Sequence, residues 1–105
     1  MSEQEVLQFI HTQLSKTFKI ERMILFGSRA KGTAKPDSDY DVLVVLESEL
    51  PYYPRQGVVG NAIGHRHFPL DLLALTPKEA DESSKLFGSV MYIAEREGRE
   101  FYAKA

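Results

Sequence analysis

Five consecutive apolar residues, Val42-Leu43-Val44-Val45-Leu46, constrain this chain more than any other feature. Side chains of a strand alternate between its two faces, so an unbroken apolar run implies a strand covered on both sides. Such a strand belongs inside a sheet, with other elements packed over each face. The remaining sequence supplies them. Ser2 with Glu5 has the form of a capping box, and Val6, Leu7, Phe9, Ile10 and Leu14 then recur at helical spacing. That predicts an amphipathic helix to about Lys16. Met23-Ile24-Leu25-Phe26 predicts a short buried strand that stops at Gly27.

Pro51 and Pro54 mark a connection, and a second helix is expected from about Pro54 to Arg66 through Val58, Val59, Ala62 and Ile63. Gly57, Gly60 and Gly64 weaken it, each by up to ~1 kcal/mol relative to alanine in a helix interior. Leu70 to Leu75 predicts a third strand. Thr76-Pro77-Lys78-Glu79 then carries an N-cap, a proline at the first helical position and a capping-box glutamate. Asp81 to Gly88 reads either way. Leu86, Val90, Met91, Ile93 and Ala94 predict a last helix that Gly98 caps, with Phe101-Tyr102 as an edge strand. Helices and strands alternate around one sheet, which predicts a mixed α/β (α+β) class and one domain over residues 1–105.

With 43% hydrophobic residues, a core of useful size is available without staples. No cysteine is present, which excludes disulfides and thiolate metal sites and suits a reducing cytoplasm. The acidic, polar start Met1-Ser2-Glu3-Gln4-Glu5 is not that of a signal peptide. No apolar stretch approaches the roughly 20 residues that span a bilayer, so no membrane contact is expected. A net charge of −2 argues against nucleic acid as a direct ligand. The charge is uneven, however: Arg29, Lys31 and Lys35 shortly precede Asp39 and Asp41. That pattern fits a small anionic ligand arriving with metal.

Four features point to chemistry. Gly27-Ser28 stands where a strand ends and a short Arg29-Ala30-Lys31 turn begins, a junction whose backbone N–H groups suit phosphate. Asp39-Tyr40-Asp41 places two carboxylates on one face of a strand start, with Tyr40 on the other. Such close like charges repel unless a cation sits between them, and Mg²⁺ takes carboxylate oxygens together with substrate phosphates. Asp71 interrupts the apolar run Phe68 to Leu75. It joins the other two acids if its strand lies beside Val42–Leu46; a partly exposed edge aspartate is the alternative. Arg29 and Lys31 are placed to neutralise triphosphate or departing pyrophosphate, a solvated turn being the alternative for Lys31. His65 and His67 lack the further ligands a metal needs and are read as structural or solvated, and His11 as a surface residue on the polar side of the first helix. Tyr52 and Tyr53 are expected to pack over the sheet edge.

Gly27-Ser28, ten residues from Arg29 to Ser38, then Asp39-Tyr40-Asp41 and a later Asp71 together resemble the nucleotidyltransferase superfamily that includes DNA polymerase β. Gly27-Ser28-Arg29-Ala30-Lys31-Gly32, with Ser38-Asp39 ahead of the apolar strand, is similar to the signature of its minimal nucleotidyltransferase branch. Glu97 to Tyr102 also resembles the ending of many small members. The resemblance implies a mixed sheet flanked by helices, with the acids on adjacent strands. It implies that Gly27 and Ser28 hold the β- and γ-phosphates of ATP with Arg29 assisting. Asp39 and Asp41 would bind two Mg²⁺ ions, and Asp71 would position the acceptor hydroxyl and accept its proton. Larger members carry a second, acceptor-binding domain, for which these residues leave no room, so the acceptor is expected from elsewhere. Small proteins of this branch are often paired with a helical HEPN ribonuclease toxin, which implies an antitoxin that adenylylates a toxin tyrosine. A catalytically silent antitoxin acting by steric contact, and transfer to a small molecule, remain open. So does assembly into a homo- or hetero-oligomer through exposed strand edges.

Overall fold

The apolar run becomes an inner strand. In the computed structural model, which describes residues 1–105, it forms β2 (Tyr40–Leu46). On one side β2 pairs antiparallel with β1 (Ile20–Phe26), and on the other it pairs parallel with β3 (Leu70–Leu75). β4 (Arg99–Ala103) pairs antiparallel with β1 and completes a mixed sheet in the order β3-β2-β1-β4. Five helices pack around it: α1 (Glu3–Ser15), α2 (Gly27–Lys31), α3 (Tyr52–Ile63), α4 (Pro77–Ser84) and α5 (Val90–Glu97).

Two cores explain why β2 has no polar side. Val42, Val44 and Leu46 pack with Val6, Ile10 and Leu14 of α1 and Val59 and Ile63 of α3. Leu43 and Val45 pack on the opposite face with Ile24, Leu75, Ala80 of α4, and Met91 and Ala94 of α5. Each fully buried Val or Leu contributes about 1.5–3 kcal/mol through apolar burial. A charge at Val44, which is wholly buried, would break the α1 face of the sheet.

Helix starts follow the capping chemistry. The Glu5 N–H donates to Ser2 Oγ at 3.1 Å, and the Ser2 N–H donates to Glu5 Oε1 at 2.8 Å. Thr76 and Glu79 make the same reciprocal pair at the head of α4, at 3.2 and 2.9 Å. That helix continues to Ser84 and settles the ambiguous segment as helical over Asp81–Ser84.

Other boundaries differ from expectation. β1 begins at Ile20 rather than Met23, because Arg22 forms ion pairs with Glu95 and Glu100, so its charge does not interrupt the strand. α3 ends at Ile63 rather than Arg66, since Gly64 adopts φ 75° and stops it. Leu86 lies outside the last helix, 61% exposed, because Ser89 caps α5 only at Val90. Gly98 does follow α5, but in extended backbone. Its small size is required for another reason: an added Cβ would lie 2.5 Å from the Ala94 carbonyl oxygen and 2.7 Å from that of Leu25. No helix is long and apolar enough to cross a membrane.

Candidate active site

Parallel pairing sets Asp41 directly level with Asp71 on β2 and β3. Neighbouring strands lie ~4.8 Å apart, so the two carboxylates leave the same face of the sheet side by side. Asp39, two residues earlier, has the same parity just ahead of β2. This is the face that carries α4 and α5, at the sheet end those helices leave open.

β1 delivers the fourth component. Its last residue, Phe26, is level with Asp41, which sets Gly27 against that carboxylate. Gly27 has φ 71°, and a Cβ there would overlap the Asp41 carboxylate. Only glycine satisfies both the backbone and the space. α2 follows at once, so the Gly27-Ser28 turn and the three acids share one corner of the molecule.

Asp39 and Asp71 are exposed, while Asp41 is partly buried. Burial pushes the Asp41 carboxyl above its usual range, and the nearby charges of Asp71 and then Asp39 push it further. The groups acting on Asp41 are thus other acids, and a cation would relieve all three. Hard carboxylate oxygens suit Mg²⁺. No three carboxylate or imidazole groups are gathered as a ready metal shell, so triphosphate oxygens would have to complete one, as is usual for Mg²⁺. The residues fit a metal that arrives with a nucleotide.

The two basic candidates are engaged elsewhere. Arg29 donates to backbone carbonyls of Pro36 and Ser38 and lies over the Tyr40 ring, away from the acids. Lys31 Nζ pairs with Glu97 Oε1 at 2.8 Å, with both side chains about half exposed. An exposed pair of that kind is worth little and exchanges readily for another anion. His65 and His67 pack edge to face with ring centroids 4.6 Å apart. His11 stacks on Tyr102 with centroids 4.2 Å apart. The pair Tyr52 and Tyr53 packs ring edge to face, with Tyr53 84% exposed rather than covering the sheet. The largest concavity, about 750 Å³ and lined partly by His11, Arg99 and Tyr102, lies against β4 and includes none of the acids.

One buried charge lies outside the residues that the sequence pattern marks. Arg55, 2% exposed, forms an ion pair with Glu79 and donates to the Ala74 and Leu50 carbonyls at 3.1 and 2.9 Å. It lies at the other end of β3 from Asp71 and holds α3 to α4. Nothing in its neighbourhood of sequence marks it as buried.

The nucleotidyltransferase domain family matches residues 7–101, the stretch that holds this corner of Gly27-Ser28, Asp39, Asp41 and Asp71. The chain belongs to that family. As a nucleotidyltransferase domain it is a transferase, of a family that uses a nucleoside triphosphate and a divalent metal. Among curated proteins none matches in sequence. Solved structures share its fold. A candidate nucleotidyltransferase from Sulfolobus solfataricus superposes with a TM-score of 0.68 at 21% identity, over 95% of this nucleotidyltransferase and 79% of that chain. A toxin–antitoxin structure with AMP-PNP gives 0.56 at 16% identity, over 99% and 75%. The spectinomycin adenyltransferase of Enterococcus faecialis, solved with ATP and spectinomycin, gives 0.58 at 18% identity, over 97% of this chain but only 55% of that one.

Proposed function

We propose that residues 1–105 act as one minimal catalytic domain that transfers AMP from ATP to a protein hydroxyl, with two Mg²⁺ ions, and serves as the antitoxin of a toxin–antitoxin pair. The favoured acceptor is a tyrosine of a helical HEPN-type ribonuclease. The level placement of Asp41 and Asp71, with Gly27 against Asp41, carries the reading. It sets a phosphate turn and a set of carboxylates at one corner.

In this reaction the Gly27-Ser28 turn binds the β- and γ-phosphates. Asp39 and Asp41 would hold the metal, which would supply charge stabilisation to the attacking and departing oxygens. Asp71 orients the acceptor hydroxyl and takes its proton. The acceptor oxygen forms a bond to the α-phosphorus, the bond from that phosphorus to the bridging oxygen of the β-phosphate breaks, and pyrophosphate leaves. With Arg29 held on the Ser38 carbonyl, Lys31, freed from Glu97, is the remaining cation of the turn for the leaving group. The toxin–antitoxin structure with AMP-PNP supports the nucleotide and the partner class together.

The test is the intact mass of the candidate partner after incubation with this protein, Mg²⁺ and ATP, beside an Asp39→Ala/Asp41→Ala control. A mass raised by one or more AMP units with the wild type alone is the expected result. An unmodified partner in a stable complex would replace the enzyme by a steric antitoxin. An unmodified and unbound partner would turn the search to small hydroxylated acceptors.

A further inference from the structure

We propose that Arg29 is a positioning residue: from α2 it clamps the loop 32–39, so that Asp39 reaches the head of β2 in fixed relation to the Gly27-Ser28 turn. The inference deepens the proposed reaction and rests on that reading for the role of Asp39.

Asp39 needs such support. It is exposed and lies outside β2, whose hold on the chain begins only at the next residue, where the Tyr40 N–H donates to Pro69 O at 3.0 Å. The stretch before it leaves α2 through Gly32 at φ 76°. Within it, the Ser38 N–H donates to Lys35 O at 3.0 Å and the Lys35 N–H donates to Ser38 Oγ at 2.9 Å. Those bonds close a small turn without attaching it to the rest of the protein. The Thr33 N–H, donating to Ser28 O at 3.0 Å, ties down the start of the loop. Arg29 ties down its end. Nε and Nη2 donate to the Ser38 carbonyl at 3.3 and 2.9 Å, and Nη2 also donates to that of Pro36 at 3.2 Å. Ser38 immediately precedes Asp39.

The clamp is itself anchored. The guanidinium carbon lies 4.1 Å from the centroid of the Tyr40 ring. Tyr40 is 5% exposed and meets Phe68 edge to face at 5.7 Å. Tyr40 also leaves β2 on the face opposite Asp41, so the guanidinium sits behind the strand from the acids. A lysine ammonium cannot replace it, because it lacks the planar fork that grips one carbonyl with two N–H groups while stacking on a ring. Since Arg29 follows Ser28 directly, the phosphate turn and the Asp39 loop move as one body.

The test compares wild type with Arg29→Lys, Arg29→Gln and Tyr40→Leu, each first shown to melt cooperatively. Amide hydrogen exchange over residues 33–39 is read without metal. Mn²⁺ affinity is read by electron spin resonance in the presence of AMP-PNP. Both arginine variants are expected to behave alike: exchange in the loop rises about tenfold with the β1 and β2 amides unchanged, and Mn²⁺ binds about tenfold more weakly. Tyr40→Leu, which keeps the charge, is expected to raise exchange at the same amides. Unchanged loop exchange in any of the three variants would overturn the clamp. So would an Arg29→Lys protein that keeps wild-type Mn²⁺ affinity while Arg29→Gln loses AMP-PNP binding, since that marks a phosphate ligand. A wild type that binds no Mn²⁺ with AMP-PNP would sink the transfer reading, and loop exchange would still decide the clamp.

Discussion

At the C-terminal end of β3 a buried arginine meets a carboxylate, while at the N-terminal ends of β2 and β3 Asp41 and Asp71 stand level, with Asp39 just ahead of them. The two regions put similar groups to opposite use. The bond from Arg55, with help from the Thr76 backbone, holds the Glu79 carboxyl below its usual 4.5. Burial, Asp71 and Asp39 push the Asp41 carboxyl above its usual 3.8. Where this fold buries a charge for structure, it supplies the counter-charge from its own chain. Where it crowds acids without one, folding bears the repulsion, and in the proposed reaction a cation from outside would balance it. Strain of that kind marks a functional site rather than a stabilising one.

Removing a charge should therefore act in opposite directions at the two ends. Asp41→Asn is expected to lower AMP transfer by on the order of 10³-fold, about 4 kcal/mol of barrier, while the melting temperature stays level or rises. Parallel calorimetry and AMP-incorporation assays check this; a variant that melts well below wild type would show that Asp41 is a structural residue. Arg55→Met should do the reverse. It leaves Glu79 without its counter-charge and removes the Arg55 donor from the Leu50 carbonyl, costs about 3 kcal/mol, and lowers the melting temperature by about 15 °C. Transfer by the folded fraction at low temperature should persist.

A pH series sharpens the contrast. The folded pKa of Glu79 is depressed, so its stabilisation is complete above 4.5 and is lost as pH falls below that through the folded value. Melting curves from pH 6 to 3 should show wild type ahead of Glu79→Gln at the upper end and converging with it at the lower end. The smallest effect is expected at the exposed Lys31–Glu97 pair, where Glu97→Gln should shift stability by less than ~1 kcal/mol.

The sequence discloses the acids that come together better than it discloses what supports them. Asp71 stands out in the sequence because an acid inside an apolar run is out of place, and Asp39 and Asp41 because residues two apart at a strand start share a face. Gly27 is legible as a turn, but its contact with Asp41 depends on β1 pairing antiparallel with β2, a long-range fact. Most strands and caps follow from local pattern and hydrogen-bonding chemistry. The misplaced ends of β1 and α3 turn on Arg22 finding Glu95 and Glu100, and on the backbone of Gly64. Arg29 and Arg55 were the least legible, because a basic residue in a polar stretch looks the same whether it faces water, a phosphate or a carbonyl. Only the fold distinguishes these.

The most direct test of the unpaired-acid account is thermal melting of wild type and Asp39→Ala/Asp41→Ala, each with and without Mg²⁺ and AMP-PNP. At ligand concentrations about a hundredfold above Kd, the wild type should gain about 10 °C or more. The double variant should start at or above the wild-type melting temperature and gain nothing. Equal gains in both proteins, or a double variant that starts far lower, would contradict it.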